Sequence, residues 1–183
     1  MKDYSISTAR LQLELIQESD IDDIYRALKK TPQITRMLTF DPPSCRQDTA
    51  DFVKWIIPRI PNHDVVWVVR MDGEFVGMGG INDIEHTVLA REINNGNIGY
   101  WFVPEVAGKG IATEFAQAVV DAGFNTLNLH KISGRVVVGN GASARILEKV
   151  GFQKIGIQKE HFYRHGKWWD CEWFEILNRN FSS

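Results

Sequence analysis

Two stretches of this sequence carry residue types and spacings that can do chemistry. In the first, Tyr100-Trp101-Phe102-Val103 runs into Pro104, and Gly108-Lys109-Gly110-Ile111-Ala112-Thr113 follows. The order reads as a strand, a glycine-bearing loop and a helix N-terminus. Free amides at such a start, with the positive end of the helix dipole behind them, attract an anion. Glycines at 108 and 110 would let a pyrophosphate reach the backbone with no Cβ in the way. The same letters also suit a tight connection that holds no ligand, and on this stretch alone both readings stand. Two nucleotide loops are excluded by spacing. Thr113 occupies the third glycine position of the dinucleotide fingerprint, and no glycine pair precedes a Lys as a P-loop requires.

The second stretch runs from Asn140-Gly141-Ala142-Ser143-Ala144-Arg145 to Gly151-Phe152. Asn140 falls where a strand hands over to a helix, a position that predicts a cap. Ser143 lies in the first helical turn, where a serine is ordinarily solvated. Lys149 in the last turn and Gly151 just after it make a helix stop. Metal chemistry is not expected, because Cys45 and Cys171 stand outside any C-x-x-C or Cys/His cluster.

The elements that must position these residues follow from periodicity. A strand is expected over Ala9–Ile16, with Leu11, Leu13 and Leu15 alternating against Gln12 and Glu14. Ser19 is the expected cap of a helix whose apolar face is Ile21, Ile24, Tyr25 and Leu28. A second helix is expected from Ser44, with Gln47 at capping-box spacing, burying Phe52, Val53, Ile56 and Ile57 and stopping at Pro58. Val65–Met71 and Glu74–Ile81 read as a hairpin turning at Asp72-Gly73. Residues 82–96 are polar and read as a loop or a second turn at Asn94-Asn95-Gly96. A strand over Ile98–Val103 precedes a helix whose face is Ile111, Phe115, Ala118, Val119 and Ala122. Then come a strand, Lys131–Val138, a helix with Ile146, Leu147 and Val150, and strands over Phe152–Tyr163 and Trp168–Leu177. The order β-α-α-β-β-β-α-β-α-β-β describes one α/β domain spanning 1–183, built around a central sheet.

Composition narrows the class. At 183 residues, 44 % apolar and 24 % charged, the chain can bury a core, and neither disorder nor a disulfide scaffold fits. A net charge of −2 with no Lys/Arg run argues against direct nucleic-acid binding. No apolar stretch approaches the ~20 residues of a spanning helix. The start, Met1-Lys2-Asp3-Tyr4-Ser5, lacks an apolar leader, and a soluble cytoplasmic protein is expected.

Taken together, the motifs resemble the GNAT superfamily of N-acetyltransferases, and within it the branch that acetylates ribosomal-protein N-termini. Five motifs carry the resemblance in register: Thr8-x-Arg10-Leu11-x-Leu13, Gly99-Tyr100-Trp101, Gly108-Lys109-Gly110 with Ala112-Thr113-Glu114, Asn128-Leu129-His130-Lys131-Ile132, and Asn140 with Ser143, Lys149 and Gly151-Phe152. The resemblance implies a mixed, mostly antiparallel and splayed sheet flanked by helices. It implies acetyl-CoA as co-substrate, with no metal. It would place the pantetheine arm along Tyr100, Trp101, Phe102 and Val103, facing Asn140, and the pyrophosphate on the amides of 108–113, with Ser143 and Arg145 also against the cofactor. The acceptor would be an amine, favoured as a protein N-terminus, with a polyamine or aminoglycoside as the alternative. A non-catalytic acyl-CoA-binding module is the alternative from another class.

The sequence departs from the family at three places. Glu105 stands where many members carry Gln or Arg and cannot donate to a pyrophosphate. Leu147 stands where many relatives carry a Tyr that protonates the departing thiolate, which leaves Ser143 as the donor, as the resemblance to the ribosomal branch implies. Asn97 occupies the place of a Glu base in some relatives and cannot take a proton. Attack on a thioester needs a neutral amine and hence a proton acceptor nearby. The candidates are Glu160, Glu85, Glu92 and five histidines. The resemblance to the ribosomal branch implies Glu160, which on residue type alone is a solvated strand carboxylate, with His161 or a relayed water as the alternative. No Cys or Ser beside a base is visible, so direct transfer is expected. The late aromatics Phe162, Tyr163, Trp168, Trp169, Trp173 and Phe174 read as sheet face or as a homodimer contact.

Overall fold

The computed structural model describes residues 4–88 and 91–181, the side chains of 88, 91 and 92 aside. A single sheet of eight strands organises it: β1 (Ile6–Ser7), β2 (Gln12–Leu15), β3 (Val65–Met71), β4 (Glu74–Val88), β5 (Arg91–Phe102), β6 (Lys131–Val137), β7 (Gln153–Arg164) and β8 (Lys167–Leu177). Their spatial order is β1-β2-β3-β4-β5-β6-β8-β7, and every neighbouring pair is antiparallel except β5 with β6. Helices cover both faces: α1 (Ile21–Lys30) and α2 (Arg46–Ile56) on one, α3 (Ile111–Asn125) and α4 (Gly141–Val150) on the other. The expected mixed, mostly antiparallel sheet flanked by helices is therefore found.

The near-continuous apolar run of β3 follows from this layering. Val65, Trp67 and Val69 point into the core under α3 and α4, while Val66 and Val68 join Ile24, Leu28, Val53 and Ile56 under α1 and α2. A strand covered on both faces has no polar side to show. Asp72 and Gly73 turn the β3–β4 hairpin with φ of 51° and 82°, the left-handed pair a two-residue turn with the sheet's twist requires.

Several expectations shift in detail. The Ala9–Ile16 strand pairs only over Gln12–Leu15, and a two-residue strand precedes it. Ser19 does not cap α1. Gln17 and Asp20 frame the turn before it, the Asp20 carboxylate accepting from the Gln17 amide at 2.9 Å. Cys45, not Ser44, caps α2, and Asp48, not Gln47, closes the box by accepting from the Ser44 and Cys45 amides. Phe52 is 39 % exposed and stands outside the core it was expected to join.

The largest difference lies at 82–96. These residues continue the β4–β5 hairpin, and Asn94-Asn95-Gly96 is not its turn. The strand chemistry is masked because two register shifts interrupt the ladder, with Asp83 and Asn94 at φ of 52° and 47°. The turn-forming preference of Asn is used here to bulge a strand.

Candidate active site

The parallel pair β5–β6 is short, and that shortness makes the site. Asn95 to Ile98 pair with Lys131 to Gly134 and then the strands part. Beyond that point β5 keeps only β4, through Gly99 to Phe102, while β6 keeps only β8. A cavity of about 500 Å³ opens in the split. Residues 99–103 form one wall, Arg135, Val136 and Val137 another, and the starts of α3 and α4 the ends. One edge of a strand left without a partner strand offers amides and carbonyls to an extended ligand.

At one end of this split the chain passes through Pro104–Val106 into Gly108 and Gly110, with φ of 74° and 77°. Gly110 is the N-cap of α3 and provides no side chain, and among the described residues no side-chain cap bonds the first-turn amides. A Cβ at Gly108 would meet no protein atom within 4 Å, so the space before the loop is open. Arg10 braces the turn: its Nη1 donates to the Lys109 carbonyl at 2.9 Å and its Nη2 pairs with Glu114 at 2.6 Å. Burial works against the Glu114 carboxylate, but hydrogen bonds from Thr8 and Arg10 outweigh it and hold its pKa below the ordinary range. Glu105 is turned away from the loop onto Lys30, at 2.7 Å, which lowers its pKa. Positive charge at the cavity comes from Arg135, Arg145 and Lys149 instead. Pairs of charge-bearing side chains with a helix start are suited to a pyrophosphate.

At the other end Asn140 caps α4, its Oδ1 accepting from the Ser143 amide at 3.3 Å. Ser143 Oγ lies 3.1 Å from the Tyr100 hydroxyl. Burial pushes the Tyr100 phenol up to about 12, with the Ser143 hydrogen bond working against it, so the phenol is protonated at neutral pH. Leu147 lines the same wall and has no proton to give.

Of the residues expected at this site, Tyr100, Trp101, Phe102, Val103, Gly108, 110–113, Asn140, Ser143 and Arg145 all line the cavity. Lys109 stands between two lining glycines with its own side chain exposed. Glu160 lines neither this cavity nor the second one. It sits in a bulge of the β7–β8 hairpin at φ 50°, its amide donating to Asp170 at 2.8 Å. The bulge leaves Glu160 exposed and His161 partly covered, 3.5 Å from Arg135. Burial first, and Arg135 second, lower the His161 pKa, so the ring is neutral at pH 7. Glu85, His63, His86, His130 and His165 are exposed, and the side chain of Glu92 lies outside the described residues.

A second cavity, about 530 Å³, lies under α1 and α2 and shares Leu38, Gly99, Tyr100 and Trp101 with the first. Its walls are largely apolar, among them Phe40, Phe52, Trp55 and Met78, with Asp41, Asp48, Asp64 and Asp83 between them. The Thr49 hydroxyl, on the same wall, is buried and finds no partner among the described residues. Sequence reasoning missed this cavity because its lining comes from six separate stretches. Exposed Phe52 and Trp55 on a helix expected to bury one of them are its only trace in the letters.

Residues 10–153 match the family model described as an acetyltransferase (GNAT) domain. An N-acetyltransferase of Bacillus licheniformis called p20 is 26 % identical over 97 % of this chain and 98 % of its own length. The spermidine N(1)-acetyltransferase of Escherichia coli K12 is 32 % identical over 56 % of this chain and 52 % of its own. The solved ribosomal-protein-S5-alanine acetyltransferase of Vibrio fischeri superposes with a TM-score of 0.87 over 99 % of this chain and all of that one, at 22 % identity. Among the described residues no group of His, Cys, Asp and Glu could hold a metal ion, and no helix is long and apolar enough to cross a membrane. The chain belongs to the GNAT acetyltransferase family and is an N-acetyltransferase that uses acetyl-CoA as its co-substrate.

Proposed function

We propose that this enzyme moves the acetyl group directly from acetyl-CoA to a primary amine, most favourably the α-amine of a protein N-terminus. The observation that carries this reading is the pair of cavities that share Gly99, Tyr100 and Trp101. One has an open strand edge running to a bare helix start, which suits a pantetheine arm ending in a pyrophosphate. The other suits the acceptor. On this reading 100–103 and Asn140 hold the arm, the amides of 108–113 with Arg145 hold the phosphates, and the thioester lies where the cavities meet. A backbone amide of the open strand there stabilises the developing oxyanion. Ser143 protonates the departing thiolate. Glu160, exposed on its bulge, acts through water on the incoming ammonium, with His161 as the alternative.

The acceptor follows from the second cavity. A polycation needs unpaired carboxylates, but Asp41 is held by Arg164, Asp64 by Arg59, and Asp48 by two amides. Apolar walls fit a peptide N-terminus better. The four aspartates keep a polyamine as the second reading, in line with the spermidine-acetylating relative. We place the reaction in the cytoplasm, where acetyl-CoA and the two free thiols are at home. We also propose a homodimer, supported by Ile155, Ile157, Tyr163 and Trp168 exposed on the β7–β8 end of the sheet. Sedimentation showing only monomer at micromolar concentration would contradict that.

The deciding experiment is a thiol-release assay with acetyl-CoA against N-terminal peptides, spermidine and an aminoglycoside. Peptide-dependent release at the highest kcat/KM is expected. Release only with polyamines would transfer the enzyme to the second reading. Acetyl-CoA binding without release to any amine would leave a binding module.

A further inference from the structure

We propose that Asp83 is a second proton acceptor of the reaction, taking the proton that the acceptor nitrogen still carries after it has attacked the thioester. This rests on the direct transfer proposed above. An ammonium acceptor must lose two protons on its way to an amide: one before attack, to free its lone pair, and one afterwards. The water-relayed role given to Glu160 covers the first. Nothing so far covers the second.

The structure builds a carboxylate into the right place by deforming a strand. Asp83 sits in the bulge between Asn82 and Glu85 with φ of 52°, a conformation non-glycine residues rarely hold without support. The support is visible. Its amide donates to Asp64 Oδ1 at 3.1 Å, and the next amide, of Ile84, donates to the His63 carbonyl at 2.8 Å. Asp64 itself is 2 % exposed and gripped by Arg59. Bulges of this kind re-aim one side chain. Here the side chain lines the second cavity, one residue along from Asn82, whose amide would lie 3.4 Å from a Cβ at Gly99.

Its two oxygens are unequal. Oδ2 faces the Asn97 amide at 3.4 Å and the Arg135 guanidinium at 3.5 Å. Oδ1 accepts no hydrogen bond among the described residues, and the side chain is 61 % exposed. Asn97, which cannot take a proton, thus orients a neighbour that can. The other three aspartates of the cavity are already engaged by arginines or by the amides of a helix cap. The charged groups facing Asp83 are Arg135 from β6 and Asp64 with Arg59 from the loop before β3, with His161 of β7 behind Arg135.

The step balances without any further reactant. The amine nitrogen bonds the carbonyl carbon and the carbonyl π pair moves to oxygen. The positively charged nitrogen of that adduct gives its proton to Asp83 Oδ1. The oxyanion pair then returns to re-form the C=O as the C–S bond breaks, that bond's electron pair leaving on sulfur. The sulfur takes the Ser143 hydroxyl proton, and Ser143 is reprotonated from Tyr100 or solvent. Asp83 returns its proton to solvent through its exposed face.

The test is Asp83→Asn in the full chain. Asn adopts the left-handed conformation readily and keeps the shape. Acetyl-CoA affinity by calorimetry and thiol release with an acceptor peptide are followed from about pH 6.5 to 9.5. Expected are unchanged acetyl-CoA affinity and a fall in kcat of ~10²–10⁴ that high pH does not restore, because free amine is not what is missing. Asp83→Glu, which keeps a carboxylate, should recover part of it. Wild-type kcat in Asp83→Asn, or a loss confined to the KM for amine, overturns the proposal and leaves acetyl transfer standing. A wild-type enzyme that binds no acetyl-CoA overturns both together.

Discussion

The Tyr100 hydroxyl and Ser143 Oγ, 3.1 Å apart, tie β5 to the first turn of α4 across the split between β5 and β6. On the proposed reading, Ser143, one turn before Leu147 on α4, together with Tyr100 from the facing strand, supplies the proton donor that Leu147 cannot be. Because burial raises the phenol to about 12, Tyr100 stays protonated through the working range and can restore a proton that Ser143 gives away. Ser143→Ala should lower kcat by about tenfold, since water can also protonate a thiolate. Tyr100→Phe should cost less, and the double variant no more than Ser143→Ala alone, because groups acting as a unit are not additive. Single losses that multiply in the double variant would show two independent donors. Folding stability tied to Tyr100 has a sign as well. A raised pKa favours the protonated fold, so this contribution is complete below about pH 10 and is lost as pH climbs toward the folded value.

The glycine loop gives a separable prediction. Gly108 needs its left-handed φ of 74° but has open space ahead of it. Gly108→Val should cost about 1–2 kcal/mol in backbone strain and also place a side chain where a pyrophosphate would sit. Gly108→Asn tolerates that φ far better and isolates the blocking effect. Both variants should stay folded by circular dichroism and lose acetyl-CoA affinity at least tenfold in calorimetry. Full affinity in folded Gly108→Asn would remove the phosphate from this loop.

How far the letters reach can be read from particular residues. The strand-loop-helix from Tyr100 to Thr113 is legible because each step has a local cause: a β run, a proline, two glycines, then a 3.6-residue period. The partner wall is legible at Asn140 for the same reason, since capping is local. The split between β5 and β6 is not written in either strand. It arises because Ile98 is the last residue of β5 to find Gly134, and that is a property of two twisted strands together. The place of Asp83 is hidden for a related reason: its neighbours look like a loop, and what fixes the bulge comes from another segment, the buried Asp64 held by Arg59 and the His63 carbonyl. Arg164 falls between the strands expected over Phe152–Tyr163 and Trp168–Leu177, yet it is 8 % exposed and holds a segment 123 residues away.

Glu160 is tested by its pH response. Glu160→Gln keeps shape and removes the proton acceptor, so the rate at neutral pH should fall by ~10²–10⁴. Raising the pH supplies free amine without help, and the variant should recover toward the wild type near pH 9, unlike Ser143→Ala or Asp83→Asn. Acetyl-CoA affinity should not move. Wild-type turnover across the whole range would reduce Glu160 to a solvated carboxylate and pass the role to His161, whose lowered pKa already leaves it neutral.

Arg164 gives a prediction in which stability and activity travel together. Its guanidinium donates to the Thr35 carbonyl at 2.8 Å, to the Leu38 carbonyl, and to Asp41 at 2.6 Å. These bonds fasten residues 35–41 to the end of β7. That segment contributes Met37 and Leu38 to the first cavity and Leu38 to Asp41 to the second. Arg164→Met keeps the buried stem but strands two carbonyls, each costing about 1–3 kcal/mol where water cannot reach. Amide exchange should accelerate over 35–41 before it does in β3, and the KM for amine should rise at least threefold. Asp41→Asn should do less, because its carboxylate is exposed and the two carbonyl bonds survive. The Arg164 hydrogen bond holds the Asp41 carboxyl below its ordinary pKa. Its contribution is therefore present above about pH 4 and fades as acid is added through the lowered value, so Asp41→Asn should flatten the acid limb of the unfolding curve. An Arg164→Met enzyme with wild-type exchange over 35–41 and unchanged amine KM would show that the segment holds itself in place.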